Sequence, residues 1–128
     1  MSVRTRADWL NEIVAAGEPP VVLIDFDGVI HHYEKWDGPV ARGRLIAGVE
    51  DGLTRLRLAG VSLEIYSTRP RRNVLEFLRA HNLDEHFDRV RDGKPYYVAF
   101  FDDRAHHVRP NAPDGLSTAV ARWLETTQ

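Results

Sequence analysis

Residues 21–28 constrain the fold of this chain more than any other segment. They read Val-Val-Leu-Ile-Asp-Phe-Asp-Gly, so that four apolar residues run directly into Asp25 and Asp27. A continuous apolar run predicts a buried strand of a parallel sheet, and ligands of open α/β sheets bind beyond the carboxyl ends of such strands. We therefore expect both carboxylates at the end of a strand, with Gly28 allowing a sharp turn.

Asp25 and Asp27 would repel each other at this spacing unless a cation lies between them or one of them is protonated. Both solutions suit chemistry at a phosphate. A hard cation such as Mg²⁺ takes oxygen ligands, and a carboxylate can attack phosphorus to form an aspartyl-phosphate. The alternative interpretation is a strand followed by an acidic turn, because Asp-x-Asp-Gly alone is a common sequence.

The composition is that of a globular protein. With 128 residues and a hydrophobic fraction of 43%, the chain can bury a core, and we expect one domain over residues 1–128 with its core over 20–126. The net charge of −2 argues mildly against broad nucleic-acid binding. The absence of cysteine excludes disulfides and thiolate zinc sites. No stretch resembles a membrane span or a secretory signal, which predicts a cytoplasmic protein.

Helix and strand patterns alternate along the chain, which predicts an α/β fold with a parallel sheet. Thr5 and Asp8 have the spacing of a capping box at the start of a helix over residues 6–16. Residues 29–47 are polar and irregular, and we assign no element to them. The remaining predicted elements are helices over 49–59, from Pro70 and over 115–125, and strands over 61–66, near 87–90 and over 97–101. We expect the first of these helices to turn Val49, Leu53 and Leu56 inward.

Polar residues of complementary types follow three of the predicted strands. They are Asp25 and Asp27 after the first, Ser67, Thr68 and Arg69 after the second, and Asp102 and Asp103 after the last, with Lys94 upstream of that strand. Because the carboxyl ends of parallel strands share one edge of a sheet, we expect these groups to converge. Carboxylates suit a cation, hydroxyl and backbone N–H groups suit phosphate oxygens, and a lysine offsets negative charge.

This ordered set resembles the motifs of the haloacid dehalogenase (HAD) superfamily, whose members are mostly Mg²⁺-dependent phosphatases. The matching segments, over residues 21–104, are Asp25-Phe26-Asp27-Gly28, Ile65-Tyr66-Ser67, Lys94 and Phe101-Asp102-Asp103. The resemblance implies a three-layer, doubly wound, Rossmann-like parallel sheet of about five strands in the order 5-4-1-2-3. Val29 departs from the family pattern, in which Thr is frequent, and this affects the local turn more than the chemistry.

The resemblance also implies a role for each matched residue. Asp25 would attack phosphorus, Asp27 would protonate the leaving alcohol and then activate water, and Lys94 would steady the nucleophile and the phosphate. Ser67 would hold a phosphate oxygen. We also assign Thr68, Arg69 and Gly28 to phosphate binding. The ligands of Mg²⁺ would be Asp25, the carbonyl of Asp27 and Asp102, with Asp103 near the metal. The implied function is hydrolysis of phosphomonoesters through an aspartyl-phosphate.

The gaps between the motifs are too short for the cap domain that many members of the family insert. An open, capless site would admit a small or a macromolecular phosphorylated substrate, unless a second copy of the chain covers it. Three alternatives to a general phosphatase stay open: a non-catalytic phosphate-binding or regulatory protein, a phosphatase acting on nucleic-acid ends, and a phosphomutase. A phosphomutase normally needs a cap to exclude water, and this chain has no space for one. Arg69, Arg71 and Arg72, beside the N-terminus of a predicted helix, either steer a polyanion or form a solvated helix face.

Two further groups of residues allow both a functional and an ordinary structural interpretation. They are His31, His32, Tyr33 and Trp36, which follow the first motif, and His106 and His107, which follow the last. The first group either contacts substrate or forms a surface loop whose tryptophan packs on the core. The four histidines together could hold a second metal, but adjacent histidines point in different directions, which favours a solvated surface.

Overall fold

The computed structural model describes residues 4–17, 19–92 and 105–126. Lys94, Asp102, Asp103 and the predicted strand over 97–101 lie outside the described residues. The described elements, in chain order, are α1 (Arg6–Ala15), β1 (Val21–Ile24), α2 (Val49–Leu58), β2 (Ser62–Ile65), α3 (Arg71–Ala80), a 3-10 turn (Asp84–His86), β3 (Arg89–Val90) and α4 (Gly115–Glu125).

The three described strands form one parallel sheet in the order β1-β2-β3. Val21 pairs with Ser62 and Ile24 with Ile65, and Ile65 in turn pairs with Val90. The predicted α/β fold with a parallel sheet is confirmed, and this layout is compatible with a Rossmann-like fold. The complete order 5-4-1-2-3 stays a prediction, because the described residues hold three strands and the predicted strand over 97–101 lies outside them.

The expectation that β1 is buried along its whole length is wrong. Val21 and Leu23 are 51% and 49% exposed, whereas Ile24 is 5% exposed. Alternate side chains of a strand point to opposite faces, so that only the face carrying Val22 and Ile24 packs against the described core. A continuous apolar run therefore located the strand correctly but did not distinguish a strand buried on one face from one buried on both.

The local signals at the helix ends correspond closely to the structure. Thr5 and Asp8 form the predicted capping box at the start of α1. The last helix begins and ends where the sequence predicted, at Gly115 and Glu125. Pro70 precedes α3 as its N-cap instead of occupying its first turn, which is a displacement of one residue.

The core is built from the apolar faces of the helices and one face of the sheet. On α2 the predicted residues Val49, Leu53 and Leu56 are all buried. This helix packs against α4, and the two approach closely at Gly52, where a Cβ atom would lie 3.0 Å from Cγ of Leu116. Among the described helices, none has the length and apolar character needed to cross a membrane.

Candidate phosphate-chemistry site

The parallel pairing of β1 and β2 places the residues that follow both strands at one edge of the sheet. The pairing continues one residue past β2, where the N–H of Tyr66 donates to the carbonyl of Ile24 at 3.1 Å. β1 and β2 end at the same level of the sheet, because Ile24 pairs with Ile65. Asp25 and Asp27, which follow β1, and Ser67, which follows β2, therefore lie at the same edge.

The carboxylate of Asp27 accepts hydrogen bonds from two other side chains at this edge. Nε of Arg69 donates to both of its carboxylate oxygens, at 2.9 Å to Oδ1 and 3.0 Å to Oδ2. Nδ1 of His31 lies 2.8 Å from Oδ1. The side chain of Asp27 is 15% exposed, while those of Arg69 and His31 are 1% and 3% exposed. The turn after β1 and the segment after β2 are thus joined by an almost completely buried ion pair.

His31 is part of the interior, so the expectation of a solvated surface is wrong for this residue. Its ring stacks on Phe26 at a centroid distance of 5.5 Å and meets Phe77 edge-on at 5.1 Å. The N–H of Gly43 donates to Nε2 at 2.8 Å, so Nε2 carries no proton. Nδ1 therefore carries the ring proton of the neutral imidazole and donates it to Asp27.

Arg69 is enclosed by the irregular stretch that follows the first motif. Its NH1 group donates to the carbonyls of Gly38 and Pro39 at 2.9 and 3.1 Å. Its guanidinium carbon lies 4.7 Å from the ring centroid of Trp36 and 5.8 Å from that of Tyr33. Trp36 stays 53% exposed. The loop formed by residues 33–39 thus folds over the ion pair, and we call it the aromatic loop.

Asn111 is hydrogen-bonded to the first residue of the aromatic loop. Its side-chain carbonyl accepts from the N–H of Tyr33 at 2.9 Å, and its amide group donates to the carbonyl of Tyr33 at 2.8 Å. Its own N–H donates to the carbonyl of Gly28 at 2.8 Å. Gly28 has a φ of +83°, a left-handed conformation that glycine adopts readily and that agrees with the sharp turn predicted at this position.

Ser67 and Thr68 differ in their surroundings. Ser67 is 2% exposed, and its hydroxyl oxygen accepts from the N–H of Arg69 at 3.1 Å. Thr68 is exposed. Both lie between the end of β2 and the start of α3, so that the predicted phosphate-binding segment approaches the N-terminus of a ten-residue helix.

Asp25 is exposed just beyond β1, and its Oδ1 accepts from the N–H of Phe26 at 2.8 Å. The carboxylate of Asp25 and the main-chain carbonyl of Asp27 are oxygen donors of the kind that suits Mg²⁺. The carboxylate of Asp27 is engaged by Arg69 and His31, which leaves its carbonyl as the donor named by the resemblance. The other three implied residues, Lys94, Asp102 and Asp103, lie outside the described residues.

The histidine pairs do not form a second metal site. Both ring nitrogens of His31 are bonded within the protein, and the ring of His106 packs on Trp123 at a centroid distance of 5.7 Å. Over residues 4–17, 19–92 and 105–126, no group of three or more His, Asp or Glu side chains has the arrangement of a metal site.

Four features of the site were not predicted from the sequence: the ion pair between Asp27 and Arg69, the buried position of His31, the acceptor role of its Nε2 atom and the loop contact made by Asn111. The nearest sequence signal was Gly43 in a polar stretch, since glycine permits close approach of a backbone to a ring. Comparison with protein-family models, with curated proteins and with solved structures finds no match to this chain.

Proposed function

We propose that the chain is a Mg²⁺-dependent phosphomonoester hydrolase of the HAD type, with Asp25 as its nucleophile. The observation that carries the proposal is the junction at the sheet edge, where the side chain of Arg69 is bonded to Asp27 and its backbone N–H donates to the hydroxyl of Ser67. Two stretches of chain that resemble the first two HAD motifs meet there. If Asp-x-Asp-Gly were only an acidic turn, nothing would require it to contact the segment after β2.

In the first step of the proposed reaction, a carboxylate oxygen of Asp25 forms a bond to phosphorus. The bond between phosphorus and the leaving oxygen breaks, and that oxygen keeps the electron pair and takes a proton from Asp27. In the second step a water oxygen attacks phosphorus and gives a proton back to Asp27. The bond between Asp25 and phosphorus then breaks, which releases inorganic phosphate and restores both carboxyl groups.

The other residues of the proposed site would bind the phosphate group and the metal ion. The Ser67 hydroxyl and the backbone N–H groups leading into α3 are suited to phosphate oxygens, and Lys94 is proposed to lie against the nucleophile and the phosphate. Mg²⁺ would be held by Asp25, the carbonyl of Asp27 and Asp102, with Asp103 near the metal. When bound, it would supply positive charge that offsets the phosphate oxygens in the transition state.

We also propose that the site is open and lacks a cap domain. Between Asp25 and Ser67 the only helix and strand are α2 and β2, and the rest of that stretch packs over Arg69 as a loop. Phosphorylated substrates of different sizes remain candidates, as does a homo-oligomer in which a second copy borders the site. A cytoplasmic location belongs to the same proposal.

A non-catalytic phosphate-binding protein is the second candidate. The observation that favours it is the ion pair itself, because the carboxylate that should exchange a proton is bonded to both Arg69 and His31. A phosphatase acting on nucleic-acid ends is the third, and it would show a steep loss of affinity as salt is raised.

The test compares wild type with Asp25→Asn on an aryl phosphate and a panel of alkyl and nucleoside monophosphates, with Mg²⁺ and with a chelator. Asp37→Asn, an exposed acid in the aromatic loop, is the matched control. We expect Asp25→Asn to lower kcat by about 10³-fold or more, because it keeps the shape and removes the attacking oxygen. Turnover that survives this substitution, or a full rate with the chelator, would overturn the proposal. Phosphate binding without turnover would establish the second candidate.

A further inference from the structure

The two carboxylate oxygens of Asp27 are not equivalent. Oδ1 accepts two hydrogen bonds, from Nδ1 of His31 at 2.8 Å and from Nε of Arg69 at 2.9 Å. Oδ2 accepts from Nε of Arg69 alone among the described donors, at 3.0 Å. A proton placed on Oδ1 would face two N–H groups, whereas Oδ2 has a lone pair left to carry one.

We propose that His31 is a positioning residue that reserves Oδ2 of Asp27 for proton exchange. The inference rests on the proposed phosphatase function, in which Asp27 gives a proton to the leaving oxygen and later takes one from water. His31 does not touch the substrate in this scheme. It donates to Oδ1 and so keeps the proton-carrying oxygen turned in one direction through both steps.

The orientation of the His31 ring is fixed from three sides. Phe26 stacks on one face with an interplanar angle of 12°, and Phe77 meets the ring edge-on. The N–H of Gly43 bonds to Nε2, which assigns the proton to Nδ1. A ring held in this way can donate to Asp27 without the entropy loss that a mobile donor would incur.

The backbone at Gly43 lies very close to the His31 ring. A Cβ atom at Gly43 would lie 2.8 Å from Nε2 of His31 and 2.0 Å from the carbonyl oxygen of His32. Only glycine brings its N–H this near to the imidazole. A buried histidine needs two hydrogen bonds, but a backbone shaped to select one tautomer indicates a role for the proton on Nδ1.

Two substitutions test the hydrogen bonds of Nδ1 and Nε2 separately. In His31→Asn the side-chain amide nitrogen takes roughly the place of Nδ1, so the bond to Asp27 is kept and the acceptor for Gly43 is lost. In His31→Gln the amide oxygen takes roughly the place of Nε2, so the acceptor is kept and the donor to Asp27 is lost. If the role of His31 were purely structural, kcat of His31→Gln would be equal to or higher than that of His31→Asn.

We expect His31→Gln to lower kcat by about 10-fold or more with KM nearly unchanged, since an acid–base group loses its orientation while substrate binding does not change. We expect His31→Asn to keep kcat within about 3-fold of wild type even though it unfolds at lower urea. A His31→Gln variant with the wild-type kcat, or a His31→Asn variant that loses as much kcat as His31→Gln while folded, would overturn the proposal.

The tautomer is measured independently by ¹⁵N NMR of the imidazole in the wild-type protein, a readout that needs no turnover. A protonated Nδ1 and an unprotonated Nε2 are expected, and the reverse pattern would overturn the inference even if both variants failed to fold. If wild type itself hydrolyses no phosphomonoester, the proposed function fails, and the positioning role fails with it. The NMR result then still reports whether the contact between His31 and Asp27 exists.

Discussion

Nε of Arg69 donates to both carboxylate oxygens of Asp27 across a separation of 42 residues, and the arginine side chain is only 1% exposed. This contact joins the turn after β1 to the segment after β2. The same guanidinium bonds to the carbonyls of Gly38 and Pro39, so one side chain holds two strand ends and the aromatic loop together. Its removal should therefore affect the fold as well as the proposed chemistry.

Arg69→Met should destabilise the protein by about 3–5 kcal/mol, because it leaves the Asp27 carboxylate without its charged partner and two backbone carbonyls without their donor. Arg72→Met is the matched control, since Arg72 is an exposed arginine in the first turn of α3. Urea unfolding of the three proteins measures the difference. Equal unfolding free energies for the two variants would show that the buried ion pair contributes nothing particular.

The elements of this fold were predictable because their signals are local. The capping box of Thr5 and Asp8, the apolar face of α2 and the limits of α4 each depend on residues a few positions apart, and each was predicted correctly. The short strand near 87–90 was also found, as Arg89–Val90. Exposure of Val21 and Leu23 was not predictable, because it depends on what packs against the sheet.

The contacts of the candidate site were only partly predictable. The order of the predicted parallel strands placed Asp27 and Arg69 at one edge of the sheet, but the sequence indicated phosphate as the partner of Arg69 and did not predict the ion pair. The position of His31 depends on a loop without periodicity, in which Gly43 returns to meet the ring. The path of this loop is set by long-range packing, and no pattern in a short stretch of sequence predicts it.

Asn111→Gly should destabilise the protein by about 1–3 kcal/mol, since it removes the two side-chain hydrogen bonds to Tyr33. Glycine is the suitable replacement because Asn111 has a φ of +60°, a conformation that glycine adopts without strain. Asn82→Gly is the matched control, since Asn82 has a φ of 57° and is exposed. Chemical denaturation compares the pair, and a loss as large at Asn82 would mean that the contact with the aromatic loop carries no stability.

Asp88 gives the protein a pH dependence that can be measured at the opposite end of the sheet. The hydroxyl of Ser62 donates to Oδ2 of Asp88 at 2.7 Å, the N–H of Leu63 donates to the same oxygen at 3.2 Å, and Arg57 lies 3.7 Å away. The hydrogen bond from Ser62 and, to a smaller extent, those other two groups hold the pKa of Asp88 below its ordinary value of 3.8, against the opposing effect of burial.

Because the pKa of Asp88 is lowered on folding, the unfolded chain binds more protons there than the folded one as the solution becomes acidic. The stabilisation is therefore complete above the ordinary value of 3.8 and is lost as the pH falls through the lower pKa of the folded state. Asp88→Asn should unfold more easily than wild type at pH 7, and the difference should shrink in acid. Because the side chain is 52% exposed, the effect is small. Urea unfolding from pH 7 to pH 2 tests this, with Ser62→Ala expected to reduce the same pH dependence by removing its main cause. A gap between wild type and Asp88→Asn that stays constant over that range would contradict the assignment.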